Sequence, residues 1–504
     1  ARLHLGPVEL MRLFHAAHPR HARILAVKTL MPHAHIIGSG PNGLAAAITM
    51  AQSGMPVTVY ERNAQIGGAC TTGERTLPGF RHDLGSSVYP MGVASPFFRS
   101  LPLAGHGFEW IHPSAPLAHP LDDGTAVMLE YSLDDTADNL NAVDGRAWRH
   151  VMTPLINRWF ELLDDVLAPP VHWPKHPFLM ARFGFAAALP AAYFARQVFQ
   201  GTRAQALFAG CAAHSVMPLN GVFSSAIGLI LSAAAQTTGW PMAAGGSQSL
   251  TDALVAHLRS LGGEIVVNHE ITDLKSMLGD GPVLADVTPR QVVQLAGDAL
   301  SSRWQSRLGN FEYGPGSFKI DYALSEPIPW TAKDCSRAGT VHLGGTLDQV
   351  VESEDAVFGG DVHDAPFVLV VQPSLFDPSR APAGTNGQPQ HTAWAYCHVP
   401  NGYTGDATAA IEGQMERFAP GFREIVLARA ITSPSQLEEW NPNLVGGDLS
   451  GGAMTPMQIA FRPTTSLYRA GHRNLYLCSS STPPGGGVHG MCGHLAALEA
   501  LKHL

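Results

Sequence analysis

His35-Ile-Ile-Gly38-Ser-Gly40-Pro41-Asn42-Gly43, with Pro56-Val-Thr-Val-Tyr60-Glu61 after it, is the stretch that decides the fold. The pattern predicts a strand, a turn with three glycines, a helix over 44–53 and a second strand closed by a carboxylate. Gly38 permits the tight turn, Gly40 lets backbone amides approach a diphosphate, and Gly43 allows helix and strand to pack closely. The helix start at Pro41 and Asn42 adds unpaired N–H groups and a partial positive charge. Glu61 stands roughly 20 residues beyond the turn, where a carboxylate accepts hydrogen bonds from a ribose. A dinucleotide site follows.

Working outward, Arg62-Asn-Ala-Gln-Ile-Gly67-Gly68-Ala69 and Gly79-Phe-Arg-His-Asp83-Leu-Gly85-Ser86-Ser87 continue the glycine-rich character. At the other end of the chain, Asn474-Leu-Tyr-Leu-Cys478 reads as a short strand. It leads through Ser479-Ser-Ser481 and Gly485-Gly-Gly487-Val488-His489-Gly490-Met491-Cys-Gly493 into an Ala/Leu-rich helix. A second glycine-rich junction so far from the first predicts one long cofactor gripped at both ends.

On these motifs the chain, from about His33 to Leu504, resembles the phytoene desaturase-like flavoprotein oxidoreductases within the wider group of flavin amine oxidases. The resemblance is to the branch named for a pyridine nucleotide-disulfide oxidoreductase domain, rather than to true carotenoid desaturases. It implies FAD as cofactor and an α/β fold, in which a Rossmann-like FAD-binding domain of the glutathione-reductase type is interleaved with an α+β substrate domain. Residues 33–100, 241–299 and 445–504 would form the first, and 101–240 and 300–444 the second with its helical lid, after an extension over 1–32. Gly67, Gly68 and Ala69 would contact the pyrophosphate and ribityl chain, with Arg62, Gly85, Ser86 and Ser87 beside them. The Gly487-Val488-His489-Gly490-Met491 turn would point its amides at the flavin pyrimidine edge, with Ser481 close by. Ile271 takes the position that gives backbone contacts to adenine.

Composition sets limits. With 504 residues, 45% of them hydrophobic, the chain can bury a large core in two intertwined domains. A net charge of -9 and scattered basic residues argue against a nucleic-acid partner. Six cysteines lack the spacing of a zinc site or redox dithiol and read as reduced thiols of a cytosolic protein. The 24 histidines lack paired ligand spacing, so no metal is expected. Residues 1–32 set Arg2, Arg12, Arg20, Arg23 and Lys28 against Glu9 and lack the apolar stretch of a signal peptide. They read as a terminal extension or as a basic, membrane-touching helix, so peripheral membrane association stays open.

Between the two junctions, helices are expected over 148–167, 185–199 and 223–235, the last too short for the ~20 residues of a membrane span. A helix over 250–261 and the strand from Glu264 return to the nucleotide domain. Many relatives then carry an extra β-meander; only Asp273 to Pro282 intervene here, which predicts a truncated element. Strands are expected over 318–324, 368–372 and 392–398, with a polar turn at Asn386.

A flavin accepts hydride at N5, so the protein's task is to hold substrate over the ring and tune its electronics. Phe318-Lys319, with Pro329-Trp330 downstream, resembles an amine-oxidase segment in which a lysine reaches a water beside N5; the alternative is a lysine snorkelling from a strand edge. His489 reads either as an acid/base facing the ring or as a cap of its own turn. His214 could line the substrate cavity or be an ordinary buried histidine. Trp394, Tyr396 and His398 share a strand face, which is either a cavity wall or a core layer.

Ser479 to Thr482 replaces the aromatic sandwich of amine oxidases, and no second three-glycine turn appears that would bind a nicotinamide dinucleotide. The expectation is therefore an FAD-dependent dehydrogenase or desaturase of an apolar, lipid-like substrate. Oxygen, a quinone or a partner protein would receive the electrons. Two alternatives stay open: a flavin-dependent polyene isomerase or saturase, and an FAD-binding assembly partner without catalysis.

Overall fold

Ala34–Ile37 forms a strand in which the β-branched Ile36 and Ile37 suit burial between parallel neighbours. In the computed structural model, which describes residues 32–384 and 387–504, five parallel strands run side by side. Their order is Leu475–Leu477, Val283–Ala285, Ala34–Ile37, Val57–Tyr60 and Glu264–Val266. Ile37 lies opposite both Ala285 and Tyr60, and Ala285 opposite Leu477. The carboxyl ends of four strands are thus flush, and their loops open on one edge, where ligands of such sheets bind.

The turn after Ala34–Ile37 holds Gly38 at φ +94°, a left-handed value that favours glycine. The helix Pro41–Gln52 follows, its proline at the start where a missing N–H costs nothing. The terminal helix, Met491–Leu501, lies directly against it. A side chain at Gly493 would overlap the Asn42 carbonyl, and Thr49 Oγ1 stands 2.9 Å from His494 Nδ1. The two glycine-rich junctions meet on one side of the molecule.

A second sheet of seven strands has the order Val426–Thr432, Gly316–Leu324, His391–Val399, Val368–Val371, Ala338–Leu343, Ala115–Pro120, Ala126–Leu129. Only Ala338–Leu343 and Ala115–Pro120 pair in parallel. One face buries Phe318, Ile320, Tyr322 and Ala395 against Ile411, Met415 and Phe418 of the helix Thr408–Phe418. Alternation sends the neighbours of those residues to the opposite face. There, strand register aligns Asp321, Trp394, Val371 and Thr340 in one row and Lys319, Tyr396, Leu369 and His342 in the next.

Some expectations are corrected. The helices over 148–167 and 185–199 are each two. The first divides into Ala142–Ile156 and Trp159–Val166, Pro154 having weakened the end of the former. The second divides at Pro190 into Pro177–Ala187 and Ala191–Val198, bent by 98°. Within 101–240, Ala115–Pro120 and Ala126–Leu129 are strands that were not read from the sequence and belong to the seven-stranded sheet. The short segment after Asp273 holds one helix, Lys275–Asp280. The apolar helix Ser224–Ala235 forms as read. No helix among the described residues is long and apolar enough to cross a membrane. The N-terminal extension, with its membrane-touching reading, and Asn386 of the polar turn lie outside the described residues.

Candidate cofactor and substrate site

A cavity of about 760 Å³ runs along the carboxyl edge of the parallel sheet and continues under the seven-stranded sheet, which roofs it. At the first end stand Glu61, Arg62, His269 and Ile271. Glu61 is buried, and its carboxylate accepts hydrogen bonds from Ser39 N (3.1 Å), Ser39 Oγ (2.6 Å) and Asn63 N (2.9 Å). It thereby pins the glycine turn from beneath.

In the middle, Gly38, Gly40, Pro41 and Asn42 present the start of the Pro41–Gln52 helix to the cavity. That helix has no side-chain cap and no acid in its first turn, and Asn42 Oδ1 is buried without a hydrogen-bond partner. Gly68, Ala69, Gly85, Ser86 and Ser87 form the facing wall. Gly487 and Val488 come from the terminal junction, and the roof and lid supply His214, Leu231, Trp240, Thr340, Trp394 and Tyr396.

Sequence reasoning missed Asp286. It follows the strand Val283–Ala285, lines the cavity, and accepts a 2.8 Å hydrogen bond from Gly43 N. A side chain at Gly40 would begin 2.6 Å from its Oδ2. Burial is the main cause that pushes its carboxyl up to about 7; the Gly43 N–H opposes the shift, and the charge of Glu61 adds to it. The signal was present, since an acid at the carboxyl end of a strand beside the dinucleotide turn faces the ligand edge.

Several expected residues lie behind the wall instead. Gly43 N is spent on Asp286, and Gly67 N on Ser39 Oγ. Ser481 is buried and donates to the Gly451 carbonyl, while its neighbour Ser480 lines the cavity. Met491 starts the terminal helix, and its N–H donates to His489 Nδ1 at 3.1 Å. That contact makes His489 a cap of its turn rather than an acid/base at the cavity, and burial pulls its pKa down to about 4.

Lys319 does not line the cavity either. Its Nζ pairs with Asp321 and donates to the Asp83 carbonyl at 2.9 Å. The Asp83 carboxylate in turn pairs with the buried Arg380 and accepts from Ser87 Oγ and Ser247 N. Burial alone would raise the Asp83 carboxyl, but Arg380 and these hydrogen bonds outweigh it and hold it below its usual value. This charged knot braces the wall at Ser87 from behind. On the strand His391–Val399, Trp394 and Tyr396 face the cavity, whereas His398 Nδ1 is turned onto Glu354 at 2.9 Å.

With this geometry in view, the comparisons are consistent. Residues 36–101 match the NAD(P)-binding Rossmann-like domain. Pyridine nucleotide-disulfide oxidoreductase domain-containing protein 2 of Rattus norvegicus is 27% identical over 93% of both chains. The phytoene desaturase (neurosporene-forming) of Rhodobacter capsulatus is 24% identical over 92% of both. An oxidoreductase from Methanosarcina mazei shares the fold, with a TM-score of 0.61 and 16% identity over 93% of this chain and 100% of that one. Over most of its length the chain is similar to phytoene desaturase-like FAD-dependent oxidoreductases.

Its cofactor is FAD, and the cradle of this flavoprotein fits that group. Glu61 and Ile271 suit the adenosine end. The uncapped helix start with Asn42 suits the diphosphate, and Gly487 and Val488 suit the far end under the roof. When bound, FAD supplies hydride acceptance at N5. Glu61, Ile271, Asn42, Gly487 and Val488 would hold it there.

Proposed function

We propose that this oxidoreductase is a dehydrogenase or desaturase that removes a hydride from an apolar, lipid-like substrate, acting on a C–C rather than a C–N bond. One observation carries the reading. Among the described residues the cavity's acids are Glu61, Glu270 and Asp286, all on the nucleotide side, while the roofed end is built from Leu231, Trp240, Leu369, Val371, Trp394 and Tyr396, with His214 and Thr340 as its polar members. An ammonium substrate would lack a carboxylate partner there, and burying an unpaired charge is costly. Anaerobic mixing of the FAD-loaded protein with unsaturated terpenoids and long-chain lipids tests it. Bleaching of the flavin band by such compounds is the expected result; bleaching by alkylamines alone would defeat the reading.

Oxygen, a quinone or a partner protein is proposed as the electron acceptor, to be separated by the rate at which each reoxidises the reduced flavin. Peripheral membrane contact is part of the same proposal. Trp173, Phe178 and Phe185, between 79 and 90% exposed on one stretch of the helical segment, support it.

A further inference from the structure

The half-buried His214 and the buried His342 and His119 stand in a row that starts at the apolar end of the cavity. His214 caps the carboxyl end of the helix Thr202–Ala213 and lines the cavity. Its Nε2 is 2.9 Å from Nε2 of His342, on the roof strand Ala338–Leu343. His342 Nδ1 and His119 Nδ1 have no hydrogen-bond partner among the described residues. Both face Gly210, where a methyl carbon would lie 2.7 Å from the first and 2.9 Å from the second. His119 Nε2 ends the row 2.7 Å from the Gly345 carbonyl.

We propose that His214 accepts the proton that substrate oxidation releases, and that His342 and His119 set its tautomer so that a bare nitrogen faces the cavity. The proposal rests on the dehydrogenase reading. A two-electron dehydrogenation breaks two bonds to hydrogen. One hydrogen leaves with its electron pair as hydride to FAD. The other leaves as a proton, its electron pair forms the new double bond, and His214 Nδ1 receives the proton.

The tautomers follow from one end. A carbonyl oxygen only accepts, so His119 Nε2 carries the hydrogen and His119 Nδ1 is bare. Were His342 Nδ1 bare as well, two unpartnered lone pairs would share the buried space at Gly210. Electrostatics therefore favours the hydrogen on His342 Nδ1, which leaves His342 Nε2 to accept from His214 Nε2. That spends the one hydrogen of a neutral His214 and leaves its Nδ1 as an acceptor, with no protein hydrogen bond among the described residues.

The surroundings agree. Burial, the largest cause, lowers all three imidazoles, His214 to about 3 and His119 to about 4, so each is neutral at pH 7. The charged and titratable groups facing the row are Arg417 beside His119, and His398 with its partner Glu354 near His214. His214 is the candidate catalytic residue; His342 and His119 are positioning residues.

The test needs no turnover. At a pH that keeps 4-nitrophenol un-ionised, FAD-loaded protein is titrated with it and with 4-nitrotoluene, a near-isostere with a methyl group in place of the O–H, and binding is read from probe and flavin absorbance. The expected result is a preference of about tenfold for the phenol, the size of one hydrogen bond. His214→Phe should erase it. Gly210→Ala, which alters no titratable group, should shrink it by disturbing the facing nitrogens. His214→Gln is the reserve variant if the phenylalanine fails to load FAD, and it should also lose the preference because its amide is far less basic. Equal binding of the two probes to the wild type, or an unchanged preference in every His214 variant that loads FAD, would overturn the proposal. Failure of the dehydrogenase reading would show separately, as absence of flavin bleaching.

Discussion

The parallel sheet and the seven-stranded sheet each give one wall to the same cavity, but they do so with different material. The parallel sheet contributes backbone: a glycine turn, a helix start and the Gly487–Val488 junction. The roof contributes side chains in rows that cross strands far apart in sequence, such as Trp394, Val371 and Thr340. A backbone wall tolerates no added atoms, whereas a side-chain wall is held by what lies behind it. The largest predicted effect tests the first half of that contrast. Gly40→Asp would place a carboxylate beside Asp286 and against the bound diphosphate, so the purified protein should be colourless apoprotein. Normal FAD content, read from visible absorbance, would remove this turn from the site.

The second half is tested behind the roof. Lys319→Met strands the buried Asp321 carboxylate, which should cost about 3–5 kcal/mol in denaturant unfolding. FAD should stay bound, because Lys319 does not line the cavity. Adding Asp321→Asn should restore part of the loss. Unchanged stability in the single variant, with slowed flavin half-reactions instead, would return Lys319 to the flavin side.

The same contrast explains what was legible in the sequence. Gly38, Gly40, Asn42, Glu61, Gly68, Gly487 and Val488 all line the cavity, because a local motif dictates a backbone path and the path is the site. The roof strands Ala115–Pro120 and Ala126–Leu129 went unread. The first carries a proline near each end, and its parallel partner Ala338–Leu343 lies far along the chain. Val426–Thr432 escaped because it is a largely unburied edge strand. Without strand pairing, no pattern could say that Lys319 sits beside Asp321 over the Asp83 loop, or that His214 meets His342. His489 was ambiguous for a related reason, since a cap and a catalytic base differ only in where the ring turns.

A smaller effect sharpens the backbone side. Asp286 holds its proton up to about pH 7 when folded, against an unfolded value of ~3.9. Between those values the folded state keeps a proton that the unfolded state has lost. Stability contributed by this group is therefore present below the lower value and declines as pH rises through the window, by up to about 1.4 kcal/mol per pH unit. Asp286→Asn keeps an acceptor for Gly43 N and removes the slope. The ligand-free variant should match the wild type near pH 4 and exceed it at pH 8 in denaturant midpoint. Parallel pH profiles would mean that Asp286 is ionised in the folded protein.

The least effect on stability is expected at the surface of the helical segment. Trp173, Phe178 and Phe185 are between 79 and 90% exposed, so their side chains add almost nothing to the core. Changing all three to serine should shift unfolding free energy by no more than about 0.5 kcal/mol each. The same change should abolish sedimentation with phosphatidylcholine vesicles if this face touches a bilayer, since each aromatic removed deletes apolar area that only a lipid or protein partner would cover. The two readouts separate the explanations. Lost vesicle binding with intact stability makes the face a docking surface and brings an apolar substrate's source next to the helices that enclose the cavity. Vesicle binding that survives would assign membrane contact to another part of the chain, and a wild type that never sediments would remove it altogether.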